Sequence, residues 1–539
     1  MLDNPSVASV AMKETDEKAG EPLATLPTRR ASIEDVRLNE LGYVASFQRT
    51  RSFTTILFMT LAIAAVPYGL GGPLLIGIIG GGPLSLFVGL LVVLVLDGAV
   101  ALSLAELASR YPTSAGPYYW TYQLASGGSA NLNSRSRAIM YSYMNGWIWL
   151  IGNWTIALSV NFGFASLIAG TIAIYIPGWT ASEWQLLLIF YCICLLTFAI
   201  CFLSDRFLPM VDTAAATTTL VTVIAIAIAL SVTAKAGRHD AAYALGHYDG
   251  SLSGYPTGFS FFIGLLPPAY TFSAIGMITS MAEECRHPEK EVPQALMSVI
   301  PIGGVASLFF LLPICFTLPP VEGILAAPYG QALPYILHTV MGTRAGAVII
   351  MAFVFGVTLF CSISITVTAS RCTFAFSRDK AVPFWSLWSS MYHRQPFAAL
   401  VLVTVVEMLL GLINLGSSSA FTAFVSVGVV ALALGYIIPI ATSLFNGQRE
   451  VSLAPWNAGP WLGPVVNVVA ILWISFELVL FSMPTWLPVN EVTMNYASVV
   501  LTGFAGMGFI FYYTYGRKSK FPPSPIPIDS TWHSTSYSC

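Results

Sequence analysis

Residues 66–72 read Val-Pro-Tyr-Gly-Leu-Gly-Gly and interrupt an apolar stretch that runs from Phe53 to Ile79. A second apolar stretch, from Phe259 to Ala282, is interrupted between Pro267-Pro268 and Ser273-Ala274-Ile275-Gly276. A helix in lipid must satisfy every backbone N–H and C=O internally, so it unwinds only beside protein or a water-filled cavity. Paired interruptions in the two halves of a chain therefore predict a solute site near the middle of the membrane. For either interruption alone, glycine that aids close packing of helices is the alternative.

The composition is typical of a membrane protein. Hydrophobic residues make up 56% and charged residues 9% of the chain, whereas soluble chains carry about 25% charge. Apolar runs of about 20 residues predict twelve spans and an all-α polytopic membrane fold. The predicted spans are 56–79, 85–107, 142–170, 184–204, 211–233, 260–282, 294–317, 345–373, 397–415, 420–445, 462–483 and 496–515.

Basic residues in the connections predict the orientation, because cytoplasmic loops are enriched in Lys and Arg. With the N-terminus inside, only Lys235, Arg238 and Arg344 of the 24 Lys and Arg residues fall outside. Both termini are accordingly predicted to be cytoplasmic. We expect a disordered cytoplasmic tail over 1–50, a twelve-span domain over 51–516 and a cytoplasmic C-terminal tail over 517–539.

Short motifs follow one another from residue 38 to about residue 515. They include Leu38-Asn39-Glu40-Leu41-Gly42-Tyr43 before the first span, Tyr111-Pro112-Thr113-Ser114-Ala115-Gly116-Pro117 after the second, Met281-Ala282-Glu283-Glu284 at the end of the sixth and Phe374-Ala375-Phe376-Ser377-Arg378-Asp379 at the end of the eighth. In order and spacing, the set resembles the amino acid–polyamine–organocation (APC) superfamily. The resemblance is to its fungal branch of amino-acid, GABA, choline and polyamine permeases.

This resemblance implies a LeuT-like fold of two inverted repeats, about 51–235 and 259–446, with two further helices over about 462–515. Spans 1 and 6 are broken in that fold. It also implies solute import, which is usually coupled to protons in fungal relatives. GABA- and choline-type relatives often carry an Asp and a His in the sixth span, where this chain has Gly276 and Ser280. The run looks most like polyamine-type and uncharacterised permeases, which weakens the prediction of GABA or choline as the solute.

Residues at the interruptions are the candidates for solute binding. A half-helix that starts near Gly72 directs the positive end of its dipole into the predicted cavity, which suits a carboxylate, and free carbonyls of the preceding half-helix suit an ammonium group. Aromatic rings there offer a cation–π face, with span packing as the alternative. In the third span, a polar stripe either lines the pathway or bonds neighbouring helices. The candidates are Val66, Tyr68, Gly69, Gly71, Gly72, Asn153, Asn161, Tyr270, Phe272, Ser273, Ala274 and Gly276.

Carboxylates that lie within spans include Asp97, Asp212, Glu407 and Glu477. An ionised carboxylate at the centre of a span costs about 2.5–3.5 kcal/mol on insertion scales, so such residues are functional candidates. We predict that Asp97 and Asp212 serve proton coupling or cation selection. In the fold that the resemblance implies, Glu407 and Glu477 lie outside the transport pathway. We expect both to be neutral and hydrogen-bonded between helices.

Glu283 and Glu284 end the sixth span on the cytoplasmic side, where the negative end of the helix dipole disfavours acids. We expect basic partners from the same side of the membrane, namely Arg110, Arg371 and Arg378, in a cluster that closes a cytoplasmic gate. A solvated loop, in which residues 286–291 supply the partners, is the alternative.

These observations predict a secondary active transporter of amino acids or small amines, coupled to protons and working by alternating access. A polyamine- or choline-type carrier of organic cations is the alternative, and a transporter-like nutrient sensor is a second class, weakened by the short N-terminal tail. An enzyme is not predicted, because the histidines lie outside the spans and the carboxylates within them are scattered. No cofactor, metal or nucleic-acid partner is predicted. The expected partners are the solute, the proton and the lipid of the plasma membrane, or else of a vacuolar or Golgi membrane.

Overall fold

The computed structural model describes residues 33–126, 132–176, 178–203, 207–392, 395–416, 418–490, 494–518 and 521. Within these ranges, twelve helical segments are long and apolar enough to cross a membrane, which confirms the predicted number of spans. Spans 1 to 12 are Phe53–Gly71, Pro83–Arg110, Arg135–Tyr175, Glu183–Leu203, Leu208–Thr233, Thr257–Glu284, Pro288–Phe316, Arg344–Arg378, Phe397–Leu415, Ala423–Phe445, Leu462–Leu480 and Ala497–Gly516. Shorter helices lie at Ile33–Glu40, Pro117–Ser126, Ala241–Gly246, Val321–Leu325, Ala332–Met341 and Trp385–Trp388.

Spans 1 and 6 lie in the interior of the bundle. In their most apolar windows, 72% and 78% of the residues are buried, whereas the shares are 28% in span 5 and 22% in span 12. Spans 5 and 12 therefore present most of their apolar side chains outward, as lipid-facing helices do. Spans 3 and 10, at 67% each, join the two interrupted spans inside the bundle.

Span 1 is divided at Ala65, one residue before the predicted interruption. Ala65 has φ 42° and ψ 53°, a left-handed conformation that a non-glycine residue seldom adopts. Helix Phe53–Ala64 ends there and helix Val66–Gly71 begins, followed by Leu74–Ile79. The carbonyl of Ala65 accepts hydrogen bonds from the backbone N–H groups of Tyr68 and Gly69, each at 2.8 Å. Residues 66–71, predicted as the interruption itself, are thus a short helix, because Pro67 lacks an N–H and fits a first turn.

Span 6 consists of three pieces. Helices Thr257–Ile263 and Leu266–Ser273 are followed, after Ala274, by a 3₁₀-helix over Ile275–Glu284. Ten residues are long for a 3₁₀-helix, whose hydrogen bonds have poorer geometry, and such stretches often mark functional hinges. The chain therefore changes its helical geometry at Ala274, inside the predicted interruption.

The interrupted spans cross where two glycines meet. A Cβ atom on Gly80 would lie 2.3 Å from the backbone nitrogen of Gly264, and one on Gly264 would lie 2.5 Å from Cβ of Ser85. The hydroxyl of Ser260 donates to the carbonyl of Gly80 at 3.1 Å. Only glycine allows this approach, which holds the two spans together at one end of the bundle.

The other end of the bundle, where span 1 begins and span 6 ends, carries buried ionic residues and is called the charged end below. They are Arg51, Asp212, Glu283, Glu284, Arg371 and Arg378. The first and last described segments both lie here. The hydroxyl of Tyr43 donates to Asp379 at 2.9 Å, and the ring of Phe521 lies 6.2 Å from that of Tyr118.

The expectation of a disordered tail over residues 1–50 is wrong for residues 33–50. Ile33–Glu40 is helical, and Leu38 and Tyr43 are buried against the bundle. Arg49 donates to Asp35 at 3.1 Å and to the carbonyl of Cys285 at 3.0 Å, which ties the segment to the end of span 6. Residues 1–32, and 519–520 and 522–539 of the predicted C-terminal tail, lie outside the described residues.

Candidate functional site

A small cavity lies where spans 1 and 6 change direction, and spans 3 and 8 complete its wall. Its volume is about 10 Å³. Among the described residues that line it, none is Asp, Glu, Lys, Arg or His, so its polar groups are hydroxyls, a thiol and the backbone. This small cavity is lined by Ile63, Ala64, Tyr68, Gly69, Ile156, Val160, Tyr270, Thr271, Ser273, Ala274, Cys361 and Ile365.

A large cavity of about 400 Å³ lies between the small cavity and the end of the bundle opposite the charged end. Its outer part is formed by partly exposed residues of the connections that follow spans 7 and 11, namely Gln331, Met483 and Thr485. Its inner part is formed by Tyr68 and Tyr270, which also line the small cavity. The two tyrosines therefore separate the cavities.

Span 3 holds both tyrosines in place. The hydroxyl of Tyr68 donates to the carbonyl of Val160 at 3.3 Å, and that of Tyr270 lies 3.2 Å from the hydroxyl of Ser159. A Cβ atom on Gly163 would lie 2.2 Å from the Tyr68 hydroxyl, so this position has no room for a side chain. The partition consequently depends on one face of span 3.

The polar stripe of span 3 is not that face, and the structure corrects the prediction for Asn153 and Asn161. Asn153 donates to the carbonyl of Trp149 at 2.8 Å, within its own helix. Asn161 donates to Glu407 at 2.6 Å and accepts a hydrogen bond from the hydroxyl of Ser362. Neither asparagine lines a cavity described here. Residues 156, 159, 160 and 163, spaced as one helical face, line the cavities instead.

The other predicted solute-binding residues fall into three sets. Tyr68, Gly69, Gly72, Tyr270, Ser273 and Ala274 line the small or the large cavity. Gly71, Gly276 and Val66 do not line these two cavities. A Cβ atom on Gly71 would lie 2.7 Å from Leu333, and one on Gly276 would lie 2.5 Å from the ring of Tyr436, so both glycines permit close packing. Phe272 lies behind the break of span 6, in a third cavity.

The third cavity, of about 20 Å³, is called the acid pocket because it contains Asp97 and Glu477. Ser273 lines both the acid pocket and the small cavity, so Asp97 lies close to the break of span 6. Glu477, which we expected to lie outside the transport pathway, lines this pocket as well. The remaining lining residues are Val100, Phe272, Ile275, Val429, Ala433, Tyr436 and Ile474.

Ion pairs among buried and partly buried side chains link the segments that meet at the charged end. Glu284 accepts from Arg51 at 3.0 Å and from Arg371 at 2.9 Å. Glu283 accepts two hydrogen bonds from Arg378, at 2.7 and 2.9 Å, the forked geometry that fits guanidinium to carboxylate. The partners thus come from before span 1 and from span 8, and not from residues 286–291.

Two predicted roles change at the charged end. Arg110 pairs with Glu450 at 3.0 Å and not with Glu283 or Glu284, because span 2 ends beside the loop that follows span 10. Asp212 pairs with Arg51 at 2.5 Å and belongs to the ionic cluster, away from the break where coupling was expected. Sequence reasoning missed Arg51. Its position two residues before an interrupted span was the available signal. In the sequence, the charge of Arg51 was used only to assign the orientation.

Asp379 lies beside this cluster, directly after span 8. Its carboxylate accepts hydrogen bonds from Tyr118 at 2.8 Å and Tyr43 at 2.9 Å. Burial raises the pKa of Asp379 to about 6, although Arg378 and the two hydroxyl groups act against the shift. Burial and the charge of Asp379 also raise the pKa of Tyr43 and of Tyr118 well above the usual value.

Replacing Asp379 by asparagine is expected to raise the melting temperature more at about pH 8 than at about pH 5. A carboxyl group whose folded pKa is raised stabilises the fold fully below its unfolded pKa of 3.8, and this contribution is lost as pH rises through about 6. Asparagine cannot ionise and so avoids that loss. Thermal unfolding of the detergent-solubilised protein at both pH values measures the difference. Equal shifts at the two pH values would show that Asp379 ionises no less readily in the fold than in the unfolded chain.

Twelve spans, of which two are interrupted inside the bundle, with cavities at the interruptions and buried ion pairs at one end, are the architecture of a membrane transport protein. The chain belongs to the amino acid permease family, whose model matches residues 52–505. The polyamine transporter TPO5 of Saccharomyces cerevisiae is 28% identical over 88% of this chain and 78% of its own length. The choline transporter of the same yeast is 26% identical over 88% and 82%. An uncharacterised amino-acid permease of Schizosaccharomyces pombe is 30% identical over 91% and 89%. These relatives confirm the predicted membership of the fungal branch of the APC superfamily.

Proposed function

We propose that the protein is a secondary active transporter that carries amino acids or small amines across a membrane by alternating access. The observation that carries the proposal is the small cavity at the two breaks, approached through the large cavity and closed toward the charged end. Residues 51–235 and 259–446 would form the two inverted repeats that move against each other. Discontinuous helices at the interface of such repeats are the usual place for a solute.

The charged end would face the cytoplasm, since most of the basic residues outside the spans lie on that side of the predicted topology. The large cavity would then open to the outside, and the described conformation would be outward-facing. In the opposite conformation the pairs of Glu284 with Arg51 and Arg371, and of Glu283 with Arg378, would separate. These residues would therefore act as the cytoplasmic gate. We place the protein in the plasma membrane, with the proton as coupling ion.

An ammonium-bearing solute fits the tyrosine-lined inner part of the large cavity best, and the small cavity, at about 10 Å³, would have to widen to admit it. Cations are attracted to aromatic faces, and the rings of Tyr68 and Tyr270 form the partition above the site. Backbone carbonyls at the end of the first half-helix add acceptors without a charged side chain. This donor and acceptor set suits an amino acid or a small amine. A polyamine or choline-type cation is the alternative, and the names of two yeast relatives favour it.

Uptake into vesicles tests the proposal and separates the solutes. Purified protein in liposomes would be given radiolabelled spermidine, choline, GABA or an amino-acid mixture, and exchange against the same unlabelled solute would be measured. We expect exchange with at least one of them, and a strong reduction in the Tyr270→Ala variant, which removes the partition. Protein-free liposomes supply the background. If no member of this panel exchanges, the proposed solute class is wrong.

A further inference from the structure

The acid pocket brings together two carboxylates from different helices. Asp97 lies near the middle of span 2 and is 5% exposed, and Glu477 lies on span 11 and is 8% exposed. Trp473, one helical turn before Glu477, donates its indole N–H to Oδ1 of Asp97 at 2.7 Å. This bond fixes span 11 against span 2 and directs Glu477 toward Asp97.

Oδ2 of Asp97 is buried and has no hydrogen-bond partner among the described residues. An isolated buried carboxylate oxygen is costly, and a buried polar atom without a partner indicates an unrecorded ligand such as water, an ion or a proton. The site is therefore incomplete as the protein alone builds it.

No cationic side chain of the described residues lines the acid pocket. Among the described residues that line the acid pocket, the titratable groups are Asp97, Glu477 and Tyr436. Charged groups on the spans packed around it are confined to their ends. These charged groups are Glu106 and Arg110 on span 2, Glu283 and Glu284 on span 6, and Glu289, Lys290 and Glu291 on span 7. A further titratable group, Tyr243, lies on helix Ala241–Gly246 at the opposite end of span 2.

Two ionised carboxylates in the low-dielectric interior of the bundle would repel each other strongly, and sharing one proton between them relieves the repulsion. The pocket volume of about 20 Å³ is close to the space that one water molecule needs, about 10–15 Å³. It is too small for an organic ammonium group. A proton, with or without one water molecule, is therefore the ligand that the pocket fits.

We propose that Asp97 and Glu477 jointly bind one proton, on one carboxyl group with the other as acceptor, and that this is the proton coupled to transport. The proposal rests on the transport function proposed above. It adds the residues that hold the proton, of which Glu477 belongs to a span outside the two predicted repeats.

The connection to the solute site runs through Ser273 and Tyr436. Ser273 is the last residue of the helix before the break and lines both cavities. The hydroxyl of Tyr436, itself in the acid pocket, donates to the carbonyl of Ser273 at 3.2 Å, and its ring packs on Gly276 just beyond the break. A movement of span 6 at Ala274 would therefore change the environment of the carboxylates. Different proton affinities in the two conformations are what coupling requires.

Infrared spectroscopy tests proton binding without any solute. A protonated carboxyl group has a carbonyl stretch that disappears on ionisation, and the wild-type protein should show it as a pH-dependent band. We expect Asp97→Asn and Glu477→Gln each to abolish or shift that band. Glu407→Gln identifies the separate band of another buried carboxyl group, because Glu407 pairs with Asn161 and lines none of the three cavities, and that band should persist in Asp97→Asn and Glu477→Gln. A band unchanged in both variants would overturn the proposal.

Vesicle transport tests the coupling with whichever of spermidine, choline, GABA or amino acid the wild type exchanges. Coupling of one proton per solute gives about tenfold accumulation per unit of pH difference. In Glu477→Gln and Asp97→Asn, we expect this accumulation to vanish while exchange without a gradient continues, and in Glu407→Gln we expect both to persist. Exchange without pH-driven accumulation in the wild type would refute the proton site and leave the transport function intact. A change in solute preference with accumulation preserved would also refute it, since the pair would then bind a solute cation.

Discussion

The Glu284→Gln variant is expected to lose uptake by about tenfold or more, because the charged end no longer closes. Glu284 bridges Arg51 and Arg371, and all three side chains are at least nine-tenths buried. Removing one partner from a buried ion pair costs about 3–5 kcal/mol, since a buried charge loses its compensation. That penalty would fall on the conformation described here, which we propose to be outward-facing and in which the pairs are formed. The variant should therefore favour the conformation that is open toward the charged end.

Cysteine labelling measures this shift separately from uptake. Cys361 lines the small cavity and is 1% exposed, so a hydrophilic thiol reagent applied at the charged end should not reach it in the wild type. In Glu284→Gln we expect it to react, in a background where Cys285 and Cys372 are replaced by serine. Size-exclusion chromatography would establish that the variant is folded, and Cys361→Ser would identify the labelled site.

Glu450→Gln is the matched control for this experiment. Glu450 pairs with Arg110 at the same end of the bundle, but the two side chains are 38% and 25% exposed. Exposed pairs contribute about 0–1 kcal/mol, so this variant should keep its uptake and its unreactive Cys361. If Glu284→Gln behaved like Glu450→Gln in both measurements, the ion pairs would not form a gate.

The second large effect is expected from Gly69→Ala, which should nearly abolish uptake. The added methyl group would lie 2.8 Å from the backbone oxygen of Ala64 and 2.9 Å from Oγ1 of Thr271, closer than such atoms can approach. Overpacking of this kind costs about 1–3 kcal/mol. Here it would force spans 1 and 6 apart at their breaks and take up the space of the small cavity.

Gly356→Ala is the control for an alanine in the interior of a span. A Cβ atom on Gly356 would meet Cγ2 of Thr218 at 3.5 Å, an ordinary contact, and alanine stabilises helices relative to glycine by about 0.5–1 kcal/mol. We expect this variant to transport normally and to melt at the same or a higher temperature. Solute exchange would be measured for Gly69→Ala and for Gly356→Ala under the same conditions. Normal exchange by Gly69→Ala would show that the small cavity is not the solute site.

Sequence reasoning located the breaks to within a residue or two because proline and glycine act locally. Pro67 lacks an N–H, and the glycines around it tolerate conformations that other residues avoid. The number of spans was predictable for a similar reason, since about 20 apolar residues are needed to cross a bilayer. The sequence predicted that Glu283 and Glu284 have basic partners, because acids at the negative end of a helix dipole need compensating cations.

The partners themselves were not predictable. Glu284 pairs with an arginine 233 positions earlier, and Arg110, an equally plausible candidate in the sequence, pairs with Glu450. The face of span 3 that lines the cavities was not predictable either. Asparagines in an apolar helix indicate a polar contact, but they do not indicate whether a cavity or another helix provides it. In this chain Glu407 provides it for Asn161.

The sequence by itself determined that the chain crosses a membrane twelve times and that two of its helices are interrupted, because backbone hydrogen bonding in lipid leaves few alternatives. Only the tertiary structure decided which side chains meet inside the bundle. Asp97 and Glu477 are 380 residues apart in the chain, and they share a pocket because Trp473 bonds span 11 to span 2. Such contacts depend on how helices rotate and cross, and no local pattern in the sequence specifies that.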